Sequence, residues 1–195
     1  TLPSGYRLIW TGQYEHLVRA EERLKLVVPL TIGIILLLLY LNFGSLAKSL
    51  IVLLSVPFAA IGAIWYLDYL GYNLSVAVWV GIIALAGVAA ETGVVMLVYL
   101  DEAYERRIRE GRMTTAQDLR EAIMEGAVQR VRPKMMTVVA IMGGLLPIMW
   151  TTGTGADVMK RIAAPMIGGM VSSTLLTLLV IPVLYMIWRR VASRL

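Results

Sequence analysis

Residues 26–43, LVVPLTIGIILLLLYLNF, form an eighteen-residue stretch without one charged side chain. As a helix, such a stretch spans most of the roughly 30 Å hydrocarbon core of a bilayer, whereas a soluble domain needs polar cover for its surface. Four more apolar runs follow, at about Ser49–Leu67, Ser75–Leu100, Lys134–Trp150 and Ile162–Trp188. With 58% of 195 residues hydrophobic and a mean hydropathy of +0.75, the sequence predicts an all-α membrane protein with five spans.

The runs divide the chain. Residues 1–25 are polar: Tyr6–Thr11 alternates like a short strand, and Gln13–Lys25 reads as a charged helix entering the first run. Spans one to three fill 26–100, a connection covers 101–133, spans four and five fill 134–188, and a tail covers 189–195. In the connection, Leu119, Ile123, Met124, Ala127 and Val128 make a helical stripe, which predicts an amphipathic helix over Gln117–Gln129 lying along the membrane surface. Pro57 predicts a kink in the second run, and Pro133 suits the first turn of the fourth. Residue 1 is threonine, and the sequence reads as a piece of a longer protein.

The net charge of +5 is dispersed around the runs, as topology signals are, and forms no nucleic-acid patch. Arg106, Arg107, Arg109, Arg112, Arg120, Arg130, Arg132, Lys48, Arg189, Arg190 and Arg194 fall on one side; Arg7, Arg19, Arg23, Lys25, Lys160 and Arg161 fall on the other. Positive residues collect in the cytoplasm, which predicts an external N-terminus and a cytoplasmic C-terminus. Trp10, Trp65, Trp79, Trp150 and Trp188 sit near run ends, as an aromatic belt does.

There is no cysteine and a single histidine, His16, which argues against thiolate metal sites, zinc and haem. No HExxH or nucleophile pattern occurs, and Gly153–Gly155 is not followed by the Lys-Ser or Lys-Thr of a phosphate-binding loop. The expectation is therefore no enzyme, no ATP-driven motor and no resident cofactor.

Glu91 is the main chemical signal. It lies nine residues from the arginine-rich end of the third run, about 14 Å deep. Insertion scales put a charge there at roughly +2.5 to +3.5 kcal/mol, so the side chain is expected to face a partner or water rather than lipid. Ala84 and Gly87 share its helical face and leave it smooth enough for close helix contact. Either a proton relay or a static hydrogen bond would account for it. Lys134 opens the fourth run, where a lysine can also simply reach the surface. Thr137, one turn on, can bond to neighbouring backbone. Eight of 11 methionines fall between Met135 and Met186. Thioethers are soft ligands for Cu(I) and Ag(I), and they also fill irregular cores. Met159 stands apart among Gly153, Gly155, Asp157 and Lys160 in an external connection. Gly81, Gly87, Gly93, Gly143, Gly144, Gly168 and Gly169 suit close or sliding helix contacts.

Four strings carry a resemblance: LKLVVPLTIGIILLLLYLNF (24–43), GVAAETGVVML (87–97), VRPKMMT (131–137) and GTGADVMKRIAAPMIGGM (153–170). In order and along nearly the whole sequence, they resemble heavy-metal efflux pumps of the resistance–nodulation–division superfamily, and within it the copper/silver exporters. The resemblance implies the last five of twelve transmembrane helices, preceded by the end of a large periplasmic domain. It implies that Glu91 and Lys134, with an aspartate on a fourth helix outside this sequence, relay protons. It implies that Met159 belongs to a methionine ladder carrying Cu(I) or Ag(I); Met166 and Met170 match the family too but are read here as packing. The expected assembly is an inner-membrane homotrimer with a periplasmic adaptor and an outer-membrane channel. Rival readings are the same fold exporting divalent metals or amphiphilic drugs, and a membrane scaffold with no transport of its own.

Overall fold

A computed structural model describes residues 13–193 of the chain. The predicted strand at 6–11 and Trp10 lie outside them. The described residues form α1 (Gln13–Phe43), α2 (Leu46–Tyr69), α3 (Val76–Arg109), α4 (Ala116–Leu145), α5 (Ala156–Leu175) and α6 (Ile181–Ser193). A 3₁₀ turn, Leu146–Trp150, ends α4, and a π-helical turn, Leu176–Val180, joins α5 to α6. Among the described residues, five stretches are long and apolar enough to cross a membrane, which makes this an all-α membrane bundle.

The charged helix from Gln13 does run unbroken into the first span as α1, which contacts mainly α2 and turns most of its aliphatic side chains outward. The centre is built by α2, α3 and α5. Their seams close on glycine: a Cβ at Gly62 would meet the Ser172 hydroxyl and the Gly168 carbonyl, and one at Gly81 would meet the Ile162 carbonyl. Ser172 fastens α5 to α2 by donating to the Ala59 carbonyl at 3.2 Å. Of the glycines expected at contacts, Gly81, Gly93, Gly168 and Gly169 are there; Gly87, Gly143 and Gly144 have no neighbour within 4 Å of a Cβ position.

The arginine-rich connection differs from expectation. α3 runs past the third span to Arg109, and α4 starts at Ala116, so only residues 110–115 are loop. Thr115 caps α4 in a capping box with Asp118, whose carboxylate also accepts from Thr114. The amphipathic segment is not a separate surface helix. It is the first half of α4, which continues through Pro133 into the fourth span. Its stripe has a closer apolar surface than lipid: Leu119, Ile123 and Ala127 bury in a core with Leu100 and Tyr104 of α3. Gly126 rests on the Tyr99 carbonyl, 2.8 Å from its Cβ position. Met124 and Val128, on the neighbouring face, remain exposed. Arg107 pairs with Glu121 at 3.0 Å and Glu125 at 3.5 Å, and Arg106 also pairs with Glu125, lacing the hairpin.

Pro133 is thus interior to a helix rather than at its start. It removes one N–H from the ladder, and the Thr137 hydroxyl donates to the Pro133 carbonyl at 3.1 Å, the local role expected of it. Pro182 is the second residue of α6, just after the π turn. α5 begins earlier than its apolar run, at Ala156, behind a left-handed Gly155 (φ +85°).

Candidate functional site

Glu91 and Thr92 are adjacent on α3, so their side chains leave the helix about 100° apart. Thr92 points toward α4 and Glu91 does not. Lys134 lies buried on α4, 1% exposed, and its Nζ donates to the Thr92 hydroxyl at 3.1 Å. That hydroxyl donates in turn to the Val88 carbonyl at 2.6 Å, so Thr92 has no remaining proton to give. Lys134 therefore does not reach for the membrane surface, because continuation of α4 through Pro133 carries it inward. Its ammonium feels the charges of Glu91 and Arg130.

Glu91 occupies the open face with Ala84 and Gly87. Among the described residues it makes no hydrogen bond or ion pair, and a Cβ at Gly87 would meet nothing within 4 Å. The structure thus brings Glu91 and Lys134 into electrostatic range with Thr92 between them, and leaves the carboxylate facing away from the bundle. On the remaining side of α3, Ser55 of α2 donates to the Ala89 carbonyl at 3.2 Å, close to Gly93.

Thr92 escaped the sequence reading because a threonine beside a glutamate has no signature of its own. Its role follows only from where Lys134 ends up. Thr92→Val keeps the volume but removes the acceptor of a buried ammonium. The expected effect is a loss of about 1–3 kcal/mol of stability, largely recovered by Thr92→Ser, measured by thermal unfolding in detergent.

Met159 does not join this group. It sits in the first turn of α5 at the other end of the bundle, 52% exposed, and not in a loop as the sequence suggested. Met166 and Met170 pack with Met142 against Ala59, Ala63 and Ala89, as filler would. No group of three or more His, Cys, Asp or Glu that could hold a metal ion occurs among the described residues.

A second polar cluster was not foreseen. Asp101, three turns from Glu91 along α3, accepts from Lys48 of α2 on one oxygen and from Tyr185 of α6 on the other. Arg189 of α6 reaches that second oxygen at 3.1 Å and lies over the Tyr104 ring at 4.0 Å. Trp188, expected in the aromatic belt, is half-buried here against Tyr185.

A profile of the AcrB/AcrD/AcrF family matches residues 1–189. The cation efflux system protein CusA of Escherichia coli (strain K12) is 53% identical over 186 residues, 94% of this chain and 18% of that protein. The cobalt-zinc-cadmium resistance protein CzcA of Cupriavidus metallidurans is 40% identical over 189 residues, 97% of this chain and 17% of that protein. A crystal structure of a heavy metal efflux pump superposes with a TM-score of 0.78 at 31% identity, covering 95% of this chain and 18% of that one. The chain therefore spans less than a fifth of the length of these relatives. It carries the helical architecture of their membrane region, and it belongs to the AcrB/AcrD/AcrF family of resistance–nodulation–division transporters.

Proposed function

We propose that this chain forms part of a proton-driven antiporter that exports Cu(I) or Ag(I), with Glu91 and Lys134 as members of its proton relay. The observation that carries the reading is an exposed carboxylate, Glu91, next in sequence to the Thr92 that holds the buried Lys134 ammonium. A carboxylate on a membrane helix with no partner in its own bundle carries an insertion cost of a few kcal/mol, which protonation lowers. Loading from the external side would neutralise Glu91 and change its attraction to Lys134. Release would restore that attraction, and the difference is what can move α3.

Thr92 supports a division of labour. It anchors Lys134, so the titrating partner that moves is Glu91. The 53% identity to a cation efflux protein supports metal cargo, and the methionine-rich fourth and fifth spans suit a soft ion. The arginine-rich α3–α4 hairpin would lie in the cytoplasm and Met159 on the periplasmic side of an inner membrane. A homotrimer joined to a periplasmic adaptor and an outer-membrane channel completes the proposed assembly. Export of divalent metals by the same machinery is the second reading, favoured by the 40% identity to a cobalt-zinc-cadmium resistance protein.

Growth of a metal-sensitive host expressing the full-length protein separates these on silver, copper, zinc and a cationic dye. The proposal predicts at least tenfold higher tolerance to silver and copper and none to zinc or dye. Tolerance confined to zinc would move the cargo to the divalent reading, and no tolerance to any of them would favour a scaffold.

A further inference from the structure

The Asp101 cluster is built like a fastening rather than a surface ion pair. Asp101, Arg189 and Lys48 have side chains 16%, 19% and 12% exposed, and Tyr185 is fully buried. Both carboxylate oxygens are engaged, Oδ2 by α2 and Oδ1 by α6. Contacts from two helices on two oxygens fix the plane of the carboxylate, and with it the rotation and height of α3. The glycine seams do not do this, because smooth faces permit sliding. The Tyr104 and Trp188 rings, 4.0 and 4.8 Å from the Arg189 guanidinium, limit its solvation and strengthen its hold.

We infer that Asp101 is a positioning residue for the proposed relay: its clasp on α2 and α6 holds α3 where Glu91 stands in range of Lys134 and Thr92 meets it. The inference rests on the relay reading above. Ten residues of rigid helix, about 15 Å, separate Asp101 from Glu91, so a displacement at one is transmitted to the other. A rotation of α3 by one residue, about 100°, would carry Thr92 away from Lys134 and, in one sense, bring Glu91 to the direction Thr92 now holds. The clasp does not itself conduct protons to the relay. Leu39, Val52, Met96, Leu97, Leu100 and Ile181 form a continuous apolar core on the intervening stretch. Its link to the site is mechanical.

The charged and titratable groups around Asp101 are Lys48 from α2, Tyr185 and Arg189 from α6, and Tyr104 on α3 itself. The next turns carry the Arg106 and Arg107 pairs with Glu121 and Glu125 of α4. At the relay they are Glu91, Lys134 and Arg130. The test uses the full-length transporter in proteoliposomes, recording metal transport against external pH. Asp101→Asn is expected to displace the midpoint of the pH profile by about half a unit or more. Lys48→Met should displace it in the same direction, and Lys48→Arg should keep the wild-type midpoint. A profile that superimposes on wild type, or is scaled down equally at every pH, overturns the proposal and leaves the clasp as plain structure. Should Asp101→Asn fail to accumulate, Tyr185→Phe removes one hydroxyl from the same oxygen and carries the same two outcomes. Glu91→Gln is run alongside: unchanged proton-coupled transport in that variant sinks the relay reading. Abolished coupling there with an undisplaced Asp101→Asn profile sinks the clasp alone.

Discussion

Replacing Gly168 with leucine is expected to abolish accumulation of the folded protein. A Cβ there would lie against Tyr66 and 2.5 Å from the Gly62 carbonyl, while a Cβ at Gly62 would lie 2.5 Å from the Gly168 carbonyl. The two backbones face each other with nothing between them. Overpacking a core usually costs about 1–3 kcal/mol, with flexible side chains giving way. Here the obstacle is partly main chain, so α2 and α5 must separate along their shared seam and the Ser172 hydrogen bond to Ala59 must break. Gly168→Ala should survive at reduced yield with a melting temperature several degrees lower, and Gly168→Leu should yield no folded protein. A wild-type melting temperature for Gly168→Leu in detergent would show that this seam does not hold the bundle.

Glu91→Gln is the other change with a large expected effect, of the opposite kind. Glutamine keeps the shape and loses the titrating proton, and Glu91 makes no hydrogen bond among the described residues that the substitution could break. The variant should therefore accumulate normally, with insertion eased if anything because a charge has gone. Metal tolerance of the host should nevertheless fall at least tenfold, to the level without the transporter. Normal abundance with lost function separates a relay acid from a structural one, since removing one partner of a static buried pair destabilises.

The spans were legible because hydrocarbon imposes length and polarity on every residue within it. That is why all five apolar runs lie within helices of the structure. Ends were less legible. Pro133 follows a polar amphipathic segment, so the pattern suggests a new helix. Yet one lost N–H is tolerable when Leu119, Ile123 and Ala127 already hold the preceding turns against α3. Apolar periodicity states that a face will be buried and not by what; α3's extension to Arg109 was the closer partner than lipid.

Glu91 was legible for the same reason that it is costly, but the close helix contact expected on its Ala84 and Gly87 face is not made: among the described residues that face is open, because α4 packs on the Thr92 side of α3 instead. Lys134 was ambiguous, because snorkelling and burial differ only in how α4 continues. The Asp101 cluster was hidden by distance in sequence: Lys48 and Arg189 lie 53 and 88 positions from Asp101. Each residue alone looked like an ordinary charge at the end of an apolar run. Gly62 and Gly126 were overlooked among more conspicuous glycine pairs, although each meets backbone of a neighbouring helix.

In the proposed mechanism Glu91 carries the protons that drive export. The direct test is proton flux in proteoliposomes holding the full-length transporter, an internal pH-sensitive dye and Ag(I), compared for wild type, Glu91→Asp and Glu91→Gln. Metal-dependent proton movement opposite to the metal is expected in wild type, a reduced but measurable flux in Glu91→Asp, and none above empty vesicles in Glu91→Gln. Metal-coupled proton flux at the wild-type rate in Glu91→Gln would contradict it.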